Sequence, residues 1–367
     1  MPHAFVLRAH ASLASTRVLV ARGALDRLGR EIRPAFPGRR IALITDARVG
    51  ALYGTRALRA LERAGLAPEL LAVPAGERSK SAARLAFLWN ALAGLGLDRD
   101  DAIVALGGGV VGDLAGFAAA TFLRGVAWIG VPTTVVAQAD SAIGGKTGID
   151  LPAGKNLAGA FHAPAVVIAD PELLATLPER HRRAGLAEAI KCGMAVDASL
   201  FRTIERDAGA LERGDPQALE RAVFGALSAK ARVVRSDPFE RTGRRAALNY
   251  GHTLGHAIET CLGYRRLHHG EAVAIGMRVA AALSVLEVGL PERDRGRQDA
   301  LLDRLRLPSR IPGLGIDELQ AAMSRDKKRR NGRIRWVLTP RLGHASVPRL
   351  ISERRLEAAL IEAGARR

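Results

Sequence analysis

Apolar and polar positions change their period partway along the chain. Up to about Leu177, short apolar runs recur between helix-period stretches: RVLVA (17–21), IALIT (41–45), LLAVP (70–74), DAIVALG (101–107), VAWIGVP (126–132) and VVIAD (166–170). That alternation predicts a parallel sheet with crossover helices. Beyond Leu177 the patterns are helical, over 179–195, 196–212, 216–235, 247–262 and 270–288. A late pair, RIRWVLT (333–339) and ASVPRL (345–350), joined through Pro340 and Gly343, predicts a small hairpin before a last helix at 352–363. The expected organisation is an α/β domain over 1–177 followed by an all-α domain over 178–367, with no internal repeat and no low-complexity linker.

Composition narrows the class. The chain of 367 residues, 48% hydrophobic, is long enough for two ordinary domains whose cores need no stapling. Cys192 and Cys261 are far apart and lack C-x-x-C spacing, which argues against a disulfide framework or a thiolate zinc site and suits a reducing, cytoplasmic setting. Charges interrupt the N-terminal stretch where a signal peptide would be apolar, and no apolar run reaches the roughly 18 residues of a spanning helix. A soluble protein with no membrane partner is expected. The net charge of +18 invites a nucleic-acid reading, but aromatics are only 4% and the arginines are dispersed through helical stretches such as 56–63. A small anionic ligand suits the basic balance equally well, and no nucleic-acid partner is expected.

Two motifs suggest chemistry. The strand predicted at 102–106 runs into Gly107-Gly108-Gly109-Val110-Val111-Gly112-Asp113, which satisfies G-x-G-x-x-G at a strand-to-helix turn where backbone amides can approach a pyrophosphate. The acid expected about 20 residues further on is absent, and Asp46, closing IALITD, is the substitute for a ribose contact. On the helical side, His252 and His256 in GHTLGH lie four residues apart on one helix face, and His269 follows in LHHGE. Imidazoles with one carboxylate make a three-ligand catalytic zinc site, and spacing alone leaves the third ligand open between His256 and a distant Glu. Basic residues also stand beside Gly and Asn in GGKT (144–147), GKN (154–156) and before Leu248 and Asn249, where they are natural clamps for phosphate and carboxylate.

Taken together, these strings resemble the 3-dehydroquinate synthase family from about Asp46 to Lys328. The resemblance rests on PAGERSK (74–80), GGGVVGD (107–113), PTT (132–134), DSAIGGK (140–146), GKN (154–156), GLAEAIK (185–191), Lys230, RAALNYGHTLGH (245–256), HGE (269–271) and DKK (326–328). It implies an N-terminal Rossmann-like NAD-binding domain, a C-terminal helical metal-binding domain and a site in the cleft between them. By the family pattern, Glu188, His252 and His269 hold zinc, with cobalt as an alternative metal, while His256 stays unligated beside the reacting centre. The pattern assigns Asp46, Glu77, Lys80, Gly108, Gly109, Val110, Asp113, Thr133, Thr134, Lys146, Lys155, Thr176 and Leu177 to NAD. It assigns Asp140, Lys146, Asn156, Lys191, Lys230, Arg245, Asn249 and one of Lys327 or Lys328 to an anionic sugar phosphate. Arg124, in FLRG, matches an Arg lent to the neighbouring subunit, which implies a homodimer.

The reaction implied is conversion of 3-deoxy-D-arabino-heptulosonate 7-phosphate to 3-dehydroquinate and phosphate, by transient oxidation, phosphate elimination, re-reduction and aldol closure. Another sugar phosphate cyclase and a metal-dependent NAD polyol dehydrogenase are the rival readings. The first is disfavoured by the joint presence of Lys230, Asn249 and His256, the second by cations that a simple polyol does not need. Three departures stand out. Arg180-His181 replaces the usual Arg-Glu, Asp46-Ala47-Arg48 replaces D-x-N, and one extra residue lies between Lys230 and Arg245.

Overall fold

A computed structural model of the chain describes residues 3–7, 15–324, 334–346 and 348–367, with the backbone alone for 3–7. The chain forms two compact units, Met1–Leu177 and Pro178–Arg367.

The first unit runs β1 (His3–Leu7), β2 (Thr16–Val20), α1 (Leu28–Ile32), β3 (Arg40–Asp46), α2 (Ala47–Val49), α3 (Thr55–Glu62), β4 (Ala67–Val73), α4 (Ala82–Gly94), β5 (Ala102–Gly107), α5 (Gly109–Thr121), β6 (Ala127–Pro132), β7 (Lys146–Leu151), β8 (Gly154–Phe161) and β9 (Val166–Ala169). Seven strands make one sheet in the order β1-β2-β9-β6-β5-β3-β4, with β1 antiparallel to β2 and the other neighbours parallel. Helices cover both faces, which explains the continuous apolar runs. Leu43, Val104 and Ile129 pack under Leu25, Leu28 and Leu61, whereas their neighbours Ile44, Ile103 and Trp128 pack under Leu88, Leu92 and Leu114. From β3 the chain goes outward to β4 and then returns to β5 on the other side of β3, so the strand order reverses there. Ligands of open parallel sheets bind beyond the carboxyl ends of strands at such a point, where Asp46 ends β3 and Gly107 ends β5.

Strands β7 and β8 form a separate antiparallel hairpin, with Lys146 opposite Phe161. Glycine-rich GGKT and GKN carry no strand periodicity, so the sequence pattern did not predict it. Strand β1 also escaped prediction.

The second unit runs α6 (Glu179–Ala195), α7 (Ala198–Arg213), α8 (Pro216–Ser236), α9 (His252–Cys261), α10 (His269–Val288), α11 (Glu292–Arg304), α12 (Ile316–Ser324) and α13 (Glu353–Glu362). Asp197 caps α7 and Asp215 caps α8, the latter with Pro216 in its first turn. Largely buried α10 packs against α6, α9, α11 and α13. Two glycines allow its close approach: a Cβ at Gly270 would lie 1.7 Å from the Ala184 carbonyl oxygen, and one at Gly276 would lie 1.9 Å from that of Gly251.

The helix expected over 247–262 begins only at His252, because Gly251 takes a left-handed φ of 79° after a 3-10 turn at Arg244–Asn249. Helices α11 and α12 were not predicted. In α11, eight of thirteen residues, ERDRGRQDALLDR, are charged and obscure the apolar face. Of the late hairpin, the described residues show backbone bonds of 2.8 and 2.9 Å between Trp336 and Arg349, and a bridge between Arg341 and His344. Positions 333 and 347 lie outside the described residues. Among the described residues, no helix is long and apolar enough to cross a membrane.

Candidate functional site

Within the second unit, three helices converge on a cluster of ligating side chains. Glu188 projects from α6, His252 from the first position of α9 and His269 from the first position of α10. Glu188 is 1% exposed, and its Oε1 atom lies 3.6 Å from His252 Nε2 and 3.3 Å from His269 Nε2. Donor atoms at ordinary zinc bond lengths in a tetrahedron stand about 3.3 Å apart. Oε1 is buried and has no hydrogen-bond partner, a costly state for a carboxylate oxygen that a cation would relieve.

The tautomers suit the same role. His252 Nδ1 donates to the Tyr250 carbonyl at 3.2 Å, and His269 Nδ1 donates to Glu259 Oε2 at 3.0 Å. In the neutral form that a metal requires, each leaves Nε2 as the lone-pair atom facing Glu188. His256, one turn along α9, brings a ligand atom into the same group, within 4.8 Å of those of His252 and His269. Proximity alone therefore admits His256 as well; the stranded Glu188 oxygen favours the set containing the carboxylate.

The electrostatics already favour a cation here. Burial raises the Glu188 pKa, but Lys191, His252 and His269 outweigh it and hold the carboxyl well below its usual range. Burial lowers the His269 pKa, but the neighbouring carboxylates of Glu188 and Glu259 outweigh that and push it up to about 10. Lys191, 1% exposed, donates to the other oxygen of Glu188. Lys230 on α8 and Arg245 on the 3-10 turn are also buried, at 6% and 4% exposure. Arg245 is fixed by a bond from its guanidinium to the Pro238 carbonyl at 3.0 Å, on a loop whose turns are held by buried Asp237. Asn249 is half-buried at the end of that turn. The α6 helix packs against both α8 and this turn, so the elements bearing the three cations adjoin one another.

Arg180 forms two bonds, of 2.6 and 2.8 Å, with Glu271, which in turn accepts from the His268 amide and caps α10 next to His269. His181, one of the departures, stacks on His268 at 4.1 Å between ring centroids. Lys327 and Lys328 lie outside the described residues.

In the first unit, α5 starts at Gly109, and its N-cap, Gly108, supplies no side-chain bond to the first-turn amides. Gly107, Gly108, Gly109, Gly112, Asp113, Pro132, Ser141 and Lys146 line a pocket at this turn. A Cβ at Gly112 would meet nothing within 4 Å, and Thr133 Oγ1 is buried without a hydrogen-bond partner. An open backbone surface, uncapped helical amides and an unsatisfied hydroxyl are what a dinucleotide phosphate would meet. Thr134 packs on Gly108 and caps the Ala137 amide, and Val110 is half-buried in the first turn of α5. Asp46 Oδ1 accepts from the Arg48 and Val49 amides, so this acid also caps α2. Thr176 bonds to Tyr53 at 2.7 Å, just before Leu177.

Lys80, 4% exposed, is the hub of a neighbouring network. It donates to Asp113 at 2.8 Å and to Asn156, and lies 4.0 Å from Glu77, which pairs with Lys155 at 3.3 Å. Burial raises the Asp113 pKa, partly offset by Lys80. Asn156, expected at the substrate, thus stands among the residues expected at NAD, with a left-handed φ of 54° and its amide held by Asp150 at 2.8 Å. Asp140 is half-buried on the turn before β7, and Arg124 is exposed, with φ 68°.

Sequence reasoning missed Glu259 and Asp150. Glu259 lies seven residues after His252, two helical turns along the same face, which was the available signal. Nothing in its residue type marked Asp150.

Residues 70–184 match the family described as 3-dehydroquinate synthase N-terminal, and residues 185–329 the one described as 3-dehydroquinate synthase C-terminal. A 3-dehydroquinate synthase of Symbiobacterium thermophilum is 48% identical over 90% of this chain and 92% of its own length. One of Pelobacter propionicus is 47% identical over 94% and 96%. Among solved structures, 2-epi-5-epi-valiolone synthase from Streptomyces hygroscopicus, with NAD+ and Zn2+ bound, superposes with a TM-score of 0.87 at 29% identity, covering 97% of this chain and 98% of that one. A 2-deoxy-scyllo-inosose synthase complexed with carbaglucose-6-phosphate, NAD+ and Co2+ gives 0.88 at 27% identity, covering 99% and 100%.

Proposed function

The chain belongs to the 3-dehydroquinate synthase family, and on that premise we propose that it converts 3-deoxy-D-arabino-heptulosonate 7-phosphate to 3-dehydroquinate and phosphate, a carbon–oxygen lyase step of the shikimate route to aromatic amino acids. The observation that carries this reading is a three-donor metal set sharing its carboxylate with a buried lysine, in a unit that also buries Lys230 and Arg245. A substrate with a carboxylate and a phosphate needs such cations; a neutral polyol does not.

When bound, zinc, or cobalt in its place, would supply Lewis-acid polarisation of substrate hydroxyls, and NAD would supply an acceptor and later a donor of hydride. Glu188, His252 and His269 hold the metal, and His256 stands beside it unligated. Asp46, Glu77, Lys80, the Gly108–Asp113 turn, Thr133, Thr134, Lys155, Thr176 and Leu177 hold NAD. Lys191 has a dual role, compensating Glu188 and presenting positive charge to the substrate. With Lys146 and Lys230 it binds the phosphate, whose own oxygen is the base for C6–H as it departs. Arg245 presents a planar fork matched to the carboxylate. Asp140, Asn156 and Asn249 position the sugar.

Arg124 reaches the site of a second copy in a homodimer. Leu123, 40% exposed, and Arg124 both adopt left-handed backbone, a costly conformation for side chains turned to solvent, which supports a partner there. We place the enzyme in the cytoplasm, in keeping with a sequence that has only Cys192 and Cys261, far apart and without C-x-x-C spacing.

Comparison of the heptulosonate phosphate with sedoheptulose 7-phosphate, which lacks the carboxylate, tests the substrate assignment. Arg245→Ala should cost about 2–4 kcal/mol in transition-state binding for the first and much less for the second. A wild type preferring the neutral-headed sugar, or equal losses on both, would make another sugar phosphate cyclase the better reading.

A further inference from the structure

We infer that Glu259 is a positioning residue of the metal centre, holding His269 as the Nδ1–H tautomer and strengthening its Nε2 as a ligand. The inference rests on the metal site proposed above and extends it to a residue outside the ligand set. Glu259 lies near the end of α9 and His269 opens α10, so the bond between them spans the connection over 262–268. Glu259 is 8% exposed, and its Oε2 accepts the His269 Nδ1 proton at 3.0 Å. The opposite ring nitrogen faces the stranded oxygen of Glu188 at 3.3 Å.

The two carboxylates differ in what they can do. Glu188 meets both ligand nitrogens, Nε2 of His252 and Nε2 of His269. Glu259 approaches His269 from its far edge, where it can act on a metal only through the ring. A neutral imidazole carries one N–H; with that hydrogen held on Nδ1 by a charged acceptor, Nε2 keeps its lone pair and gains electron density. His252 has a weaker counterpart, the uncharged carbonyl of Tyr250 at 3.2 Å. The connection itself is secured from both sides: the Tyr264 amide donates to the Glu259 carbonyl at 2.9 Å, and Glu271 caps α10. The ring therefore reaches the site in one orientation before any metal arrives.

The test measures zinc affinity of the full-length protein by competition with a fluorescent chelator, for wild type, Glu259→Gln and Glu188→Gln. Gln keeps the size and one acceptor oxygen but removes the charge. Glu259→Gln should weaken zinc binding about 10- to 100-fold, the usual effect of an outer-shell partner, in a protein that still unfolds cooperatively without metal. Wild-type affinity in Glu259→Gln, with Glu188→Gln impaired, would overturn the role of Glu259 and leave the metal site intact. No loss in Glu188→Gln would overturn the metal site itself. If Glu259→Gln does not fold, the ring 15N shifts of His269 in the zinc-loaded wild type decide: a protonated Nδ1 supports the assignment, and a metal-bound Nδ1 overturns it.

Discussion

Replacing Lys191 by Met isolates the charge pairing on which the metal centre is built. Lys191 and Glu188 are each 1% exposed, and the lysine ammonium donates to the carboxylate. Removing one partner of a buried pair costs about 3–5 kcal/mol, because the surviving charge is left uncompensated. Here a second cation stands by: His269, with its pKa pushed up to about 10, lies 3.3 Å from the other Glu188 oxygen and is protonated at neutral pH. The expected loss is therefore at the lower end, about 3 kcal/mol in the metal-free protein, or a fall in Tm of about 6–12 °C for a unit of this size. Zinc replaces the missing positive charge on Glu188, so saturation with metal should narrow the deficit. The sign with pH is fixed by the depressed Glu188 pKa. Its contribution is present above the ordinary carboxylate value of about 4.3 and is lost only as pH falls through the lower folded-state value, so mild acid should not remove it from wild type. Denaturant and thermal unfolding, followed by the helical circular-dichroism signal with and without chelator, give the numbers. Equal metal-free stabilities for wild type and Lys191→Met would refute the pairing. A deficit that zinc leaves untouched would refute the claim that the same carboxylate serves the metal.

Zinc uptake near neutral pH should release a proton, because His269 binds metal only as neutral imidazole; calorimetry in buffers of different ionisation enthalpy should show it, and uptake without proton release contradicts the ligand assignment. The raised His269 pKa also stabilises the metal-free fold fully below about 6.5, a contribution lost as pH rises through about 10, so chelated protein should weaken across that alkaline range. Gly112→Ala places a methyl group in open space on α5: it should leave Tm unchanged or raise it, by about 1 kcal/mol of helix propensity, yet weaken NAD binding measured by calorimetry. Unchanged NAD affinity would move the phosphates away from this turn. Gly270→Ala, whose Cβ would stand 1.7 Å from the Ala184 carbonyl oxygen, should cost about 1–3 kcal/mol or more and weaken zinc binding by displacing the start of α10; zinc titration and unfolding of the same variant check both.

The sheet was legible because its strands are buried on both faces, so each appears as an unbroken apolar run such as IALIT or AIVALG. The β7–β8 hairpin was not, since its buried positions, Thr147, Gly148 and Ile149, run without alternation, Gly148 and Gly159 let the strands close, and Asn156 serves Lys80. In the helical unit, periodicity located α9 and α10, but Gly251 reset the start of α9 by its backbone angle, which no periodicity encodes. Spacing placed His252 and His256 on one face and stopped there. Glu188 lies 64 residues upstream of His252, and only the packing of α6 against α10, with a glycine at the contact, brings its oxygen to both imidazoles. The motif of Asn156 was legible, but its bond to Lys80, 76 residues upstream, was not.

In the proposed reaction a bound dinucleotide is used and restored within each turnover while zinc serves the same chemistry. Counting phosphate released from the heptulosonate phosphate with NAD substoichiometric to substrate, while recording nicotinamide absorbance, tests it most directly. Many phosphates per NAD, no accumulation of NADH, loss of activity on chelation and recovery on adding zinc are expected. NADH rising in step with product, or full turnover in the presence of a chelator that has removed the metal, would contradict the proposed reaction.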